Sequence, residues 1–197
     1  HVSDCLCVSP LEARFAPCLP LAPWPHPQAL GARGGWPSRE TVDRFVVYAL
    51  PVHARLADPV RTWTPRNEPF CSAFLGYTAG MHAPGRTSPA DGLAAAHHLM
   101  LAHGRVVQEL RARDASLELG LTLNFTVADP LDPSDPRDVD AARRVDAQMN
   151  RIFLDPIFRG AYPTDLLEDV RHLGFEDHIL DGDLDVISTP IDVLGVN

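Results

Sequence analysis

Residues Trp63-Thr64-Pro65-Arg66-Asn67-Glu68-Pro69 carry a short extended run into an amide, a carboxylate and a proline. The proline ends the run, so Val60 to Asn67 is expected as a strand with Asn67 and Glu68 side by side where it stops. An isolated Asn-Glu-Pro also fits a plain turn with a solvated glutamate, and the sequence on either side has to decide. Upstream, Ser38 is placed to cap a helix over 38–57, with Val42, Phe45, Ala49 and His53 on one face and a kink expected at Pro51. Downstream, Ser88, Pro89 and Asp91 form a capping box that opens a second amphipathic helix through Leu110. Leu117 to Phe125 alternates as a strand, Asp135 caps a helix that Asp155-Pro156 is expected to stop, and Thr164 caps a shorter one through Leu173. Cys18 to Trp24 reads as a short, proline-disturbed strand and Ile191 to Asn197 as a further extended segment. Strands and helices alternate, with connections long enough for right-handed crossovers, so the expected class is α/β with parallel strands.

With 45% hydrophobic and 22% charged residues, the 197-residue chain has the composition of a protein with a packed core. No apolar run approaches the roughly 18 residues of a membrane span, so a soluble protein is expected. The formal charge is −9 and the 17 basic residues, all arginine, are scattered, which argues against a nucleic-acid partner. Three of the four cysteines lie in the first 18 residues with no second pair at a ligating distance, so free thiols of a cytoplasmic protein are expected, with no metal and no cofactor. His97 and His98 stand six and five residues before His103, unlike the i, i+4 pair of a zinc helix, and are read as packed histidines. The acidic run Glu176, Asp177, Asp181, Asp183 and Asp185 lacks the spacing of an EF-hand and is read as a solvated connection. Trp36 and Trp63 are expected in the core. The chain starts at His1 with no charged-then-apolar leader, so its natural start is expected to lie elsewhere.

From Trp24 onward the motifs fall into a known order. They include Pro27-Gln28-Ala29-Leu30 with Gly34-Gly35-Trp36, then Asn67-Glu68-Pro69, Phe74-Leu75-Gly76-Tyr77 and Ala83-Pro84-Gly85. They continue with Ala96-His97-His98, Ala102-His103-Gly104, Gly120-Leu121-Thr122-Leu123-Asn124 and Asn150-Arg151-Ile152-Phe153-Leu154-Asp155-Pro156. Tyr162-Pro163, Asp181-Gly182-Asp183-Leu184 and Leu194-Gly195-Val196-Asn197 complete the series. In this order and density the chain resembles glycoside hydrolase family 1, the retaining β-glucosidases.

The resemblance implies a TIM (β/α)8 barrel, of which the chain covers strands three to six, about half. It implies that Glu68, at the end of the fourth strand, is the general acid/base, and that Asn67 holds the sugar 2-hydroxyl. Trp24 and Asn124 are expected as further substrate-binding residues. The family's nucleophile lies in a Thr-Glu-Asn-Gly motif on strand seven, and that tetrapeptide is not in the sequence. Two departures fall inside the matched region. Pro23 replaces a sugar-binding histidine, and Pro65-Arg66 puts a residue without an N–H and a bulky cation into a central strand, which is expected to weaken it near Glu68. The expected organisation is an unassigned segment over 1–22 followed by the partial barrel over 23–197. The expected function is cleavage of β-glucosides or β-galactosides with retention, the chain alone being incomplete. The expected partners are a small β-glycoside and either a second copy of the chain or a complementing barrel fragment. The alternative is a non-catalytic sugar-binding remnant or a self-associating half barrel.

Overall fold

The computed structural model describes residues 17–21, 27–56, 58 and 60–197. Strands β1 (Cys18–Pro20), β2 (Thr62–Asn67), β3 (Glu118–Leu123) and β4 (Val193–Val196) form one sheet in chain order, each parallel to the next. Helices α1 (Gln28–Gly31) and α2 (Glu40–Leu56) connect β1 to β2, and a π-helix (Cys71–Thr78) and α3 (Pro89–Arg113) connect β2 to β3. The last crossover runs through α4 (Pro136–Asp146), a π-helical turn (Ala147–Arg151), α5 (Ile152–Arg159), α6 (Thr164–Val170) and α7 (Asp183–Ile187). Consecutive parallel strands joined by helices make about half of a (β/α)8 barrel, as expected from the sequence.

Helix α3 is the centre of the helical layer. Ser88 Oγ accepts the Asp91 N–H at 3.2 Å and Pro89 sits in the first turn, which is the expected cap. Gly92 to Gly104 is buried without a break, the signature of a helix with protein on every side. Gly104 is needed for that packing, since a Cβ there would lie 2.2 Å from the Val186 carbonyl oxygen of α7. On the sheet, Leu119, Leu121 and Leu123 of β3 are buried, while a Cβ on Gly120 would lie 2.5 Å from the Val193 carbonyl oxygen of β4. Trp36 and Trp63 are both buried, as expected.

Helix α2 continues through the expected kink site, with Pro51 inside it and exposed. Two local expectations are corrected. Helix α5 runs through Pro156 and ends at left-handed Gly160. Its buried face of Ile152, Phe153, Pro156 and Ile157 makes packing outweigh the one lost hydrogen bond. Thr164 is the first residue of α6 rather than its cap, which is Pro163.

The weakening expected in β2 takes a defined form. Trp63 pairs with Leu119 and Arg66 with Leu121, so β2 spends three steps where β3 spends two, and Pro65 falls inside the resulting bulge. The extra residue turns Trp63 and Arg66 to the same side, toward the helices. Trp63 packs against His53 of α2 with ring centroids 4.9 Å apart, and the Arg66 guanidinium lies 4.7 Å from the Trp36 ring and 5.5 Å from Phe45. Arg66 is 1% exposed and donates to Ser72 Oγ at 3.2 Å, with its Nε unpartnered. Burial pulls it down to about 9, so it is still charged at neutral pH and its charge opposes folding there.

The acidic run is not wholly solvated. Asp183 is buried and accepts from both Arg39 Nη atoms, from the Leu180 N–H at 2.9 Å and from His97 Nε2 at 3.0 Å. With Nε2–H committed to a carboxylate, His97 Nδ1 is the acceptor for the Tyr162 hydroxyl at 2.9 Å. This hub joins α3, α7, the approach to α2 and the loop before α6. Burial pushes the Asp183 carboxyl up, but the Arg39, Leu180 and His97 donors outweigh it and hold the group well below the usual carboxylate range. Its stabilising effect is therefore present above the unfolded value of about 3.9 and is lost as pH falls below it.

Two outcomes are expected in urea unfolding. Arg66→Leu should stabilise the fold at pH 7 by about 1–2 kcal/mol, because a buried charge without a carboxylate partner is exchanged for apolar packing at the loss of a cation–π contact. Asp183→Asn should cost about 2–4 kcal/mol at pH 7 and progressively less below pH 4, where the unfolded chain's carboxyl takes up a proton that the native one resists. A destabilised Arg66→Leu protein, or an Asp183→Asn deficit independent of pH, would contradict these assignments.

Candidate active site

Asn67, Glu68, Asn124 and Asn197 lie at one end of the sheet because the register brings them there. Asn67 pairs with Thr122 and Leu123 with Val196, so Asn124 and Asn197 each follow the last paired residue of their strands. These are the carboxyl ends of parallel strands, where βα barrels hold their active sites. The bulge sets the phase: with Arg66 turned outward, alternation turns Asn67 to the opposite, concave face.

Glu68 extends the ladder by one bond, its N–H donating to the Thr122 carbonyl at 2.9 Å. The backbone then swings into the left-handed region, with φ of 46°. Glu68 is the one non-glycine residue with positive φ among the described residues, and such strain concentrates at functional sites. The turn closes when the Cys71 N–H donates to the Glu68 carbonyl at 3.0 Å, and the π-helix begins there. The carboxyl is buried, at 6% exposure for the residue. Its Oε1 accepts from Asn197 Nδ2 and its Oε2 from Cys71 Sγ, at 3.6 Å for the latter. The Cys71 thiol is pushed up to about 11, first by burial and then by the charge and hydrogen bond of Glu68, and it stays protonated at neutral pH.

The structure thus brings Asn67, Glu68 and Asn124 to one rim. Asn67 and Asn124 are half-buried, and Asn124 Oδ1 is buried without a hydrogen-bond partner. Trp24 lies outside the described residues. The sequence reading did not single out Asn197 or Cys71 as part of the site. Asn197 was visible only as the end of a motif, and Cys71 only as a residue three positions after Glu68, where the π-helix starts.

The histidines stand behind this rim. His98 Nδ1–H donates to the Trp36 carbonyl at 2.9 Å, and burial brings His98 down to about 4. Burial, assisted by the Arg66 charge, brings His103 down to about 3. His97 and His98 are packed and hydrogen-bonded, as expected, whereas buried His103 is packed with neither ring nitrogen partnered, which departs from the expectation of a satisfied histidine.

The sequence pattern of the family described as Glycosyl hydrolase family 1 matches residues 5–197. The chain is 43% identical over 192 residues to a bifunctional β-D-glucosidase/β-D-fucosidase of Bifidobacterium breve, covering 95% of this chain and 40% of that protein. It is 44% identical over 178 residues to the thermostable β-glucosidase B of Thermobispora bispora, covering 88% of this chain and 35% of the relative. The crystal structure of the psychrophilic β-glucosidase BglU from Micrococcus antarcticus superposes with a TM-score of 0.95 at 52% identity, over 98% of this chain and 41% of that one. The chain therefore spans about 40% of the length of the first of these relatives. The family match extends over β1 to β4 and includes the strand end that holds Glu68, and by that match the chain belongs to glycosyl hydrolase family 1.

Proposed function

We propose that this chain carries the acid/base half of a retaining β-glycosidase site, with Glu68 as the general acid/base. The observation that carries the reading is the buried Glu68 carboxyl, held by Asn197 and Cys71 at the carboxyl end of a parallel strand. In the first half-reaction the protonated carboxyl delivers its proton to the leaving glycosidic oxygen. In the second, the carboxylate takes a proton from water as it attacks the anomeric carbon. Asn67, on the concave face beside Glu68, is assigned to the sugar 2-hydroxyl, where a hydrogen bond strengthens as the ring gains oxocarbenium character. Asn124 Oδ1 and Trp24 are assigned to the same sugar. The second carboxylate that retention requires is assigned to the Thr-Glu-Asn-Gly motif of the family, which is not in this sequence.

Relatives named as β-glucosidases and a β-glucosidase/β-fucosidase support β-glucosides as the substrate class, with β-galactosides as the next to test. No helix among the described residues is long and apolar enough to cross a membrane. Free Cys18 and Cys71 fit a reducing compartment, and the reading places the protein in the cytoplasm.

The test uses two aryl β-glucosides, one with a poor and one with an activated phenol leaving group, assayed with the nucleophile-bearing strands present. Glu68→Gln is expected to lower kcat/KM about 10²- to 10⁴-fold on the poor leaving group and far less on the activated one, which needs little proton donation. An equal loss on both, or none on either, would sink the assignment. The 197 residues alone are expected to release no phenol from either compound, and release abolished by Glu68→Gln would require a nucleophile outside the family motif.

A further inference from the structure

An acid/base carboxyl has to be neutral in one half-reaction and charged in the other while staying aimed at the same oxygen. What its two oxygens touch therefore matters as much as where it sits. Glu68 Oε1 is taken by the amide of Asn197, which reaches in from the end of β4. Oε2 is taken by Cys71, which reaches back from the first residue of the π-helix. Two backbone features create this second contact. The left-handed turn at Glu68 reverses the chain over three residues, and the Cys71 N–H bond to the Glu68 carbonyl closes the loop. Sγ then stands 3.6 Å from Oε2 with both residues buried, Cys71 at 8% and Glu68 at 6% exposure. A π-helix of eight residues starting beside a candidate catalytic carboxyl is itself a feature that concentrates at functional sites.

We propose that Cys71 is a positioning residue for Glu68, its S–H donating to Oε2 and orienting the carboxyl in both protonation states. This rests on the acid/base reading of Glu68. The choice of a thiol has a physical logic. An arginine or lysine at this place would hold the carboxylate ionised and spoil it as an acid, whereas an apolar side chain would leave Oε2 free to rotate. A thiol is a weak donor, so it supplies direction at little cost to reprotonation. Cys71 neither attacks nor transfers its proton. The proton given to the leaving oxygen is that of Glu68, and the one regained comes from the attacking water.

The other groups around the carboxyl leave this role to Cys71. Asn197 from β4 is neutral. Arg66 on β2 turns its guanidinium toward Trp36 and Ser72, and His103 of α3, which feels that guanidinium, is uncharged.

The test is a signed series on the alkaline limb of the kcat/KM profile, measured on the poor leaving group with the nucleophile-bearing strands present. Cys71→Val removes the donor at similar volume, favours the neutral carboxyl and should move the limb to higher pH. Cys71→Ser supplies a stronger donor, favours the carboxylate and should move it to lower pH while keeping the turnover that Val loses. Shifts of a few tenths to about one pH unit are expected in each direction. A residue that merely fills space would not shift the limb with opposite signs, and coincident limbs or shifts of one sign would overturn the proposal.

A second measurement needs no turnover. Iodoacetamide labelling of Cys71, resolved from Cys5, Cys7 and Cys18 by peptide mass spectrometry, should become about tenfold faster at pH 8 in Glu68→Gln, because the charge opposing thiolate formation is gone. An unchanged rate would overturn the thiol–carboxylate pair. A faster rate with undiminished turnover in Glu68→Gln would instead remove the acid/base reading, and the positioning role with it, while leaving the contact standing.

Discussion

A strand held between two parallel neighbours can aim a side chain at only one face, and the site at the end of β2 depends on which. The bulge between Trp63 and Arg66 sets that phase. It lets Pro65 sit in a central strand without a hydrogen-bonding role it cannot fill, and it turns Arg66 to the helices so that Asn67 is left on the concave side. From there the Glu68 N–H bond to Thr122 fixes where the ladder ends, and the left-handed turn at Glu68 fixes where the next helix begins. The positions of Cys71 and of the π-helix follow from that turn.

The outer layer is held by a different kind of constraint. Asp183 carries a charge in the interior, and four donors from three parts of the chain converge on it. A buried carboxylate so fully satisfied specifies one arrangement of α3 and α7, because any slippage would strand a charge. Gly104 makes the arrangement sterically feasible by letting α7 lie against the α3 backbone. Arg66 is the opposite case, a buried charge with a hydroxyl and two aromatic rings for company. Its place is set by the phase of the strand, and the fold bears that cost in order to keep Asn67 where it is.

Where the sequence was readable, the signal was local. The run into Asn67-Glu68-Pro69 marks a strand end because the proline forbids continuation, and Ser88-Pro89 marks a helix start because the cap and the proline act within one turn. Glu68 is proposed as acid/base from the order of motifs on either side of it, since its own tripeptide also fits a plain turn. Asn197 could not be assigned in this way, since it meets Glu68 across 129 residues through the pairing of three strands. The acidic run looked solvated because the arginine that neutralises Asp183 lies 144 residues away. Pro156 looked like a helix stop because its own backbone argues for one, whereas the burial of Ile152, Phe153 and Ile157 that overrides it is a property of the assembled layer. Cys71 was in plain view, but only the left-handed turn and the π-helix reveal that its thiol points back.

The distance between Arg39 and Asp183 also bears on how the chain comes to be folded during its synthesis. At roughly 5–20 residues per second, on the order of ten seconds separates the appearance of Arg39 from that of Asp183. By about the middle of that interval α3 has been made with His97 in it, and Tyr162 follows, but the carboxylate that organises them is still missing. Closing so long a loop costs little more than closing one of half its length, so timing rather than entropy sets the order of events. The nascent segment through α3 therefore carries an apolar, nearly all-round helix that lacks α7 as a cover.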